Sequence, residues 1–198
     1  MANILDIFRT HSGHRLLERT AEQTGISENE VNRAFLLALP TLLGIHLEQC
    51  ASGKSHFQEA RKEFQGFIDF IETEDLCHQG EKVMNLLLTA NQQDKISSFS
   101  KVIGISQSAY EKVLKISCGA IFSILTEITE NKSLKREDHC ELVHSLAGIS
   151  TKFDREFIMT LIKNEDSPHL IDSAEKIALD REDDEDEQSI LGGYTGGR

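Results

Sequence analysis

The sequence predicts an all-α protein, a compact multi-helix bundle built from helix-turn-helix-like repeats and followed by a disordered acidic C-terminal tail. Three observations carry that prediction. The triplet Gly-Ile-Ser occurs at Gly25-Ile26-Ser27, Gly104-Ile105-Ser106 and Gly148-Ile149-Ser150, each time between two stretches of helical spacing. Apolar residues recur at intervals of three and four, the period of a helix with one buried face. The 198 residues include only two prolines and are rich in Leu, Ile, Ala, Glu and Lys, a composition that favours helices.

Each element follows from these rules. Asn3 to His11 reads as a short helix carrying Ile4, Leu5, Ile7 and Phe8, and Ser12-Gly13 as a break. Residues 14–24 form the first helix of repeat one. Ser27 is an N-cap with Glu30 three residues on, a capping box for the next helix. That helix, 28–48, carries Val31, Ala34, Phe35, Ala38, Leu39 and Leu42 on one stripe, widened by Leu36, Leu37 and Leu43, so it is expected inside the bundle. Pro40 predicts a kink at 36–40 or a helix end there, because proline removes one hydrogen bond and clashes one turn back.

Ser52-Gly53 closes that region, and amphipathic helices are expected over 56–75 and 80–90. Repeat two follows with a shift of 79 residues. Under it Leu17 meets Ile96, Phe35 meets Leu114, Ala38 meets Ser117, Leu42 meets Ile121 and Leu43 meets Phe122. Its second helix, about 107–130, is the other expected inner helix. Repeat three is shorter, with Leu142, Val143 and Leu146 before its turn and Phe157, Ile158, Leu161 and Ile162 after it. Asn164 to Pro168 reads as a loop and 169–179 as a last helix. The helical domain is thus 1–179, with units around 14–48, 93–130 and 136–163 and structural turn residues Gly25, Ser27, Gly104, Ser106, Gly148 and Ser150.

The tail differs in kind. Residues 180–187 hold seven acids and one base, cannot bury apolar area and repel themselves. Beyond this tether lies the Gly-rich peptide Ile190, Leu191, Gly192, Gly193, Tyr194, Thr195, Gly196, Gly197 and Arg198, the expected partner-binding segment.

Charge narrows the classes of partner. The formal net charge is −12, which repels phosphate backbones and anionic lipid. No apolar run reaches the roughly 18 residues of a membrane span, since Ala34 to Ile45 is broken by Pro40 and Thr41. The opening Met-Ala-Asn-Ile-Leu-Asp lacks the pattern of a signal peptide. Cys50, Cys77, Cys118 and Cys140 are scattered, with no Cys-x-x-Cys pair, and read as reduced thiols of a cytoplasmic protein.

No motif for catalysis accompanies the repeats. Ala21, Gly25 and Val31 fit the spacing of a DNA-reading helix-turn-helix, but the second helix opens with Glu28, Asn29 and Glu30 and has Arg33 as its only base. His139, Cys140 and His144 cluster in sequence, His11 and His14 lie three apart, and Cys77 adjoins His78. Zinc needs ligands that converge, and these sets lie far apart, so they read as surface or half-buried residues and no metal or other cofactor is expected.

Ile4-Leu5-Asp6-Ile7-Phe8, Leu16-Leu17, Thr24-Gly25-Ile26-Ser27 and the run from Ala34 through Leu39-Pro40-Thr41-Leu42-Leu43-Gly44 are similar to the YidB-like family of bacterial proteins of unknown function. The resemblance covers about 2–48, with a looser second copy at about 80–128. It implies an all-helical, homeodomain-like arrangement and no catalytic residues. Members usually carry glycine-rich linkers where this chain has the charged, Phe-containing segment 51–79, which implies an ordered spacer.

The expected function is that of a non-enzymatic cytoplasmic adaptor or scaffold whose C-terminal peptide docks to a partner assembly, the body presenting a surface or forming a homo-oligomer. The alternatives are a helix-turn-helix-type nucleic-acid-binding regulator and a helical small-ligand-binding protein.

Overall fold

A computed structural model describes residues 8, 10–64, 76–133, 136–147 and 158–161. All regular structure among them is helical: α1 (His11–Thr24), α2 (Glu28–Ala51), α3 (Phe57–Arg61) with a 3-10 turn at Lys62–Phe64, α4 (Leu76–Leu87), α5 (Ala90–Ser97), α6 (Ser100–Ile103), α7 (Gln107–Asn131) and α8 (Arg136–Ala147). A further helical turn lies at 158–161.

The two long helices are the inner ones, as their stripes require. In α2 thirteen of twenty-four residues are buried, Val31 through Cys50, which leaves only its first turn and one narrow edge to solvent. In α7 Val113, Leu114, Ile121, Phe122 and Leu125 all face the core. Helix α2 is also the one described helix long and apolar enough to cross a membrane by length and composition, yet its apolar side chains pack inside this core.

Five hydroxyls within the core satisfy themselves, while those of Tyr110 and Ser123 are buried without a partner among the described residues. Thr20, Thr41, Ser117, Thr126 and Thr129 each donate to the carbonyl one turn back. Such back-bonding lets a polar residue sit on a buried helix face without an orphaned donor.

Glycine C-caps and serine N-caps set the helix ends. Gly25 and Gly104 take left-handed backbone, φ 73° and 83°, and their N–H groups donate to Ala21 O and Ser100 O. A side chain there would be strained, which is why glycine stands at both positions. Ser27 and Ser106 then cap α2 and α7 from extended backbone. At Ser27 the capping box is complete: Glu30 N–H donates to Ser27 Oγ, and Glu30 Oε2 accepts from Ser27 N–H at 2.8 Å.

Helix α4 lies against α7 at glycine distance. A Cβ on Gly80 would collide with the backbone carbonyl of Lys115, and one on Gly119 would sit 2.5 Å from Leu76 O. Lys115 Nζ donates to Glu81 Oε1 at 2.7 Å across the same crossing. Gly44 has the same use on α2, where a Cβ would press on Ile158 at 3.0 Å.

Several boundaries depart from the sequence expectations. Ser12-Gly13 is inside α1, because Thr10 caps the helix by accepting from Gly13 N–H, so the helix starts at His11 rather than 14. Pro40 does not end α2, which runs on to Ala51; packing on nearly every side offsets the lost hydrogen bond. The helix expected over 56–75 is five residues plus a 3-10 turn as far as it is described, with 65–75 outside the described residues. The first helix of repeat two is split into α5 and α6 at Ser98-Phe99. Most of the Asn3–His11 segment, the third turn with Gly148 and Ser150, the loop and last helix over 164–179, and the tail with Ile190–Arg198 also lie outside the described residues.

Candidate functional site

Near its C-terminal end α2 carries His46 and, one turn on, Cys50. Positions four apart share a helix face, and here that face points inward: His46 is 0 % exposed and Cys50 8 %. Gly53, at φ 70°, turns the chain after α2. Helix α3 then returns along the bundle and lays Phe57 over the same place. Helix α8 adds His139, 3 % exposed.

The three side chains converge. His46 Nε2 and His139 Nε2 are 3.1 Å apart, and Cys50 Sγ is 4.0 Å from His46 Nε2. All three donor atoms lie within 4.8 Å of one another. The Phe57 ring stacks on His139 at 3.6 Å and 19°, and Phe122 of α7 sits 4.8 Å from His46. The rings are therefore held in place by aromatic packing from two further helices.

Burial decides their charge. Desolvation, reinforced by His139 and then His56, lowers the pKa of His46 to about 3. Desolvation alone lowers that of His139 to about 4. Both imidazoles are neutral at pH 7, and each then has one nitrogen lone pair to offer. Both Nδ1 atoms are buried with no hydrogen-bond partner among the described residues.

Two hollows adjoin the cluster. A cavity of about 60 Å³ has Cys50, His139, Cys140, Phe57, Ser55 and Gln58 in its wall. A second, about 330 Å³, opens between the end of α2 and α8, against Leu47, Cys50, Ala51, Cys140, Glu141 and His144. Two neutral imidazoles and a thiol beside water-sized space make a donor set for a soft cation, and a poor acid–base pair at neutral pH.

The residues singled out from the sequence fall elsewhere. Gly25, Ser27, Gly104 and Ser106 are structural turns remote from the cluster. His11 and His14 lie exposed on the first turn of α1, and His78 lies exposed beside a half-buried Cys77 on α4. Of the set near 140, His144 is exposed and Cys140 half-buried, but His139 is fully inside, which corrects its reading as a surface or half-buried residue. Grouping by sequence neighbourhood separated His139 from its true neighbours. The signal that was present is His46-x-x-x-Cys50, one turn apart on an otherwise apolar stripe. None of the four cysteines forms a disulfide.

Burial shifts two further groups. It pushes the pKa of the Cys118 thiol and of the Tyr110 hydroxyl well up, so both stay protonated. Neither lines the cluster.

Residues 6–127 match DUF937, described as a bacterial protein of unknown function, whereas no curated protein and no solved structure matches the chain. His46 and Cys50 fall inside the matched region and His139 beyond it. The match covers α1 through most of α7, more than half of the chain, and on that ground the protein belongs to the DUF937 family of bacterial proteins of unknown function.

Proposed function

We propose that the protein is a non-enzymatic cytoplasmic adaptor or scaffold whose segment Ile190–Arg198 docks to a partner assembly. The carrying observation is a division of labour along the chain. The helix after each described Gly-Ile-Ser turn is spent on the core: Phe35, Leu37, Ala38 and Leu43 of α2, and Leu114, Ser117 and Phe122 of α7, are all buried. The last ten residues, by contrast, follow a run of seven acids and combine Ile190, Leu191 and Tyr194 with four glycines and Arg198. A spacer of about ten residues reaches roughly 17–19 Å, enough to free such a peptide from the body. The same burial weighs against a nucleic-acid reader, whose second helix must present an open polar face to base edges.

Within the DUF937 family we read the chain as YidB-like. Its first unit corresponds to the homeodomain-like arrangement and residues 80–128 to a second copy. The matching cap geometry at Gly25-Ser27 and Gly104-Ser106 supports that reading.

The experiment compares partner capture by the full chain and by a chain ending at Gln188, with the synthetic peptide 189–198 as competitor. Loss of one partner on truncation and on competition, at an unchanged melting temperature, supports docking by the tail. Equal capture by both chains sinks it.

A further inference from the structure

We propose that His46, Cys50 and His139 bind a thiophilic divalent cation of the zinc type between α2 and α8, its fourth position filled by solvent from the adjoining cavity. This goes beyond the adaptor reading and does not depend on it.

The donor atoms have the right kinds and nearly the right places. Structural and catalytic zinc sites draw on imidazole nitrogen and thiolate sulfur, at about 2.0–2.1 Å and 2.3 Å. Two nitrogens on one tetrahedral ion at those lengths stand about 3.3 Å apart, and a nitrogen and a sulfur about 3.6 Å. The observed separations are 3.1 Å for the two Nε2 atoms and 4.0 Å for Cys50 Sγ to His46 Nε2. The third pair, Cys50 Sγ and the His139 nitrogen, lies within 4.8 Å, so a movement of about an ångström by one thiol and one ring brings all three onto a common centre.

The alternative, a polar pair that serves the core, explains less. Two neutral imidazoles facing each other through Nε2 share at most one hydrogen bond. Both Nδ1 atoms are buried and unpartnered among the described residues with or without an ion, and what an ion changes is the Nε2 pair, which otherwise presses two ring nitrogens together over one proton. Unpaired buried polar groups cost stability. The fold itself does not call for them. Seventy-nine residues on, at the matching places of α7, stand Leu125 and Thr129, both buried, with the Thr129 hydroxyl bonded back to Leu125 O. Unit two thus fills the equivalent positions with an apolar side chain and a self-satisfied hydroxyl, while unit one carries an imidazole and a thiol one turn apart. A cation gives both Nε2 lone pairs a common acceptor and draws Cys50 into the same centre as thiolate.

The setting suits a bound ion. Phe57 and Phe122 fix the ring planes, which lowers the cost of ordering the ligands. The cavity of about 60 Å³ touches both Cys50 and His139, so solvent reaches the open position from the side where Ser55 and Gln58 stand. Cys140 shares that wall, but it is next to His139 on α8, and adjacent helical residues do not face one point. It is therefore placed beside the site and not in the ligand set.

The test uses the full reduced chain and Co²⁺ as a spectroscopic stand-in, displaced by Zn²⁺. The expected result is one Co²⁺ per chain, with the visible absorption of a tetrahedral ion and a thiolate-to-cobalt charge-transfer band. Zn²⁺ should abolish both and raise the melting temperature. Cys50→Ser should remove the charge-transfer band, and His139→Gln should weaken Zn²⁺ binding by more than the about 10–100-fold of an outer-shell change. Cys77→Ser and Cys140→Ser should leave the spectrum in place. Should Cys50→Ser fail to fold, the intact chain still decides, because Zn²⁺ must then shift the imidazole ¹⁵N resonances of His46 and His139. An octahedral spectrum, a charge-transfer band lost in Cys77→Ser or Cys140→Ser but kept in Cys50→Ser, or unmoved imidazole resonances would overturn the proposal.

Discussion

The unit α1–Gly25–α2 and the unit α5/α6–Gly104–α7 are built to one local plan and put to different uses. Both turn on a left-handed glycine, and both start the long helix on a serine with nearly the same backbone, φ −65° ψ 155° at Ser27 and φ −66° ψ 145° at Ser106. Both bury the same register: Phe35 with Leu114, Ala38 with Ser117, Leu42 with Ile121, Leu43 with Phe122. They part where each meets a third element. Pro40 of α2 stands where α7 has Gly119, and only the glycine admits α4 to backbone contact. His46 and Cys50 stand where α7 has Leu125 and Thr129, and only the first pair meets His139 of α8. The shared turn and stripe make a helical pair, and the odd residues in the register decide what that pair receives.

The comparison breaks most visibly in the core. Phe35→Ala and Leu114→Ala occupy one register position and should each cost about 2–5 kcal/mol. Urea unfolding should show both losses. A loss confined to one would mean that only one unit carries the core.

Gly80→Ala and Gly119→Ala come next. Each forces α4 off α7 and should cost about 1–3 kcal/mol or more. At about 2–4 °C per kcal/mol for a chain of this size, calorimetry should resolve the fall in melting temperature. An unchanged midpoint in both would show that α4 yields without cost.

The buried histidines sharpen the comparison through pH, in cation-free buffer. Their folded pKa values, about 3 and about 4, lie below the ordinary 6.5, so the unfolded chain takes up protons first as pH falls. Their contribution to stability is complete above pH 6.5 and is lost as pH drops toward 4. Each histidine supplies a slope of up to about 1.4 kcal/mol per pH unit. The double variant His46→Leu, Cys50→Thr copies unit two into unit one. It should fold and show a shallower slope between pH 6.5 and 4 in urea titrations; an unaltered slope would assign the acid sensitivity to other groups.

Helix caps give the smallest effect. Ser27→Ala and Ser106→Ala should each cost about 1 kcal/mol. Ser27 should cost more, because its loss also removes the bond that its hydroxyl donates to Glu30 Oε2, while Ser106 has Ala109 at the corresponding place. Equal losses by chemical denaturation would mean that the box adds nothing to the simple cap.

Local chemistry explains what was legible beforehand. A left-handed glycine, a serine cap and a stripe of apolar residues act over a few residues, so α2, α7 and two of the three turns could be read directly from the chain. The same locality misled at Ser12-Gly13, where a threonine two residues earlier caps a helix through the apparent break. It misled again at Lys62–Phe64, where a 3-10 turn follows the five residues of α3 instead of a continued α-helix. The site was half legible. His46 and Cys50 announce themselves as polar residues one turn apart on an apolar face. His139 was read with Cys140 and His144, its neighbours along the chain, and its burial could not be seen from them.

The sequence by itself determined that this protein is all-helical, where the glycine turns at Gly25 and Gly104 fall and which two helices go inside, because those follow from backbone sterics and from the period of apolar residues. Only the tertiary structure decided that α4 meets α7 through two glycines and that His139 crosses ninety-three residues to stand 3.1 Å from His46. Such contacts come from how whole helix faces fit together, and no spacing along a single segment encodes them.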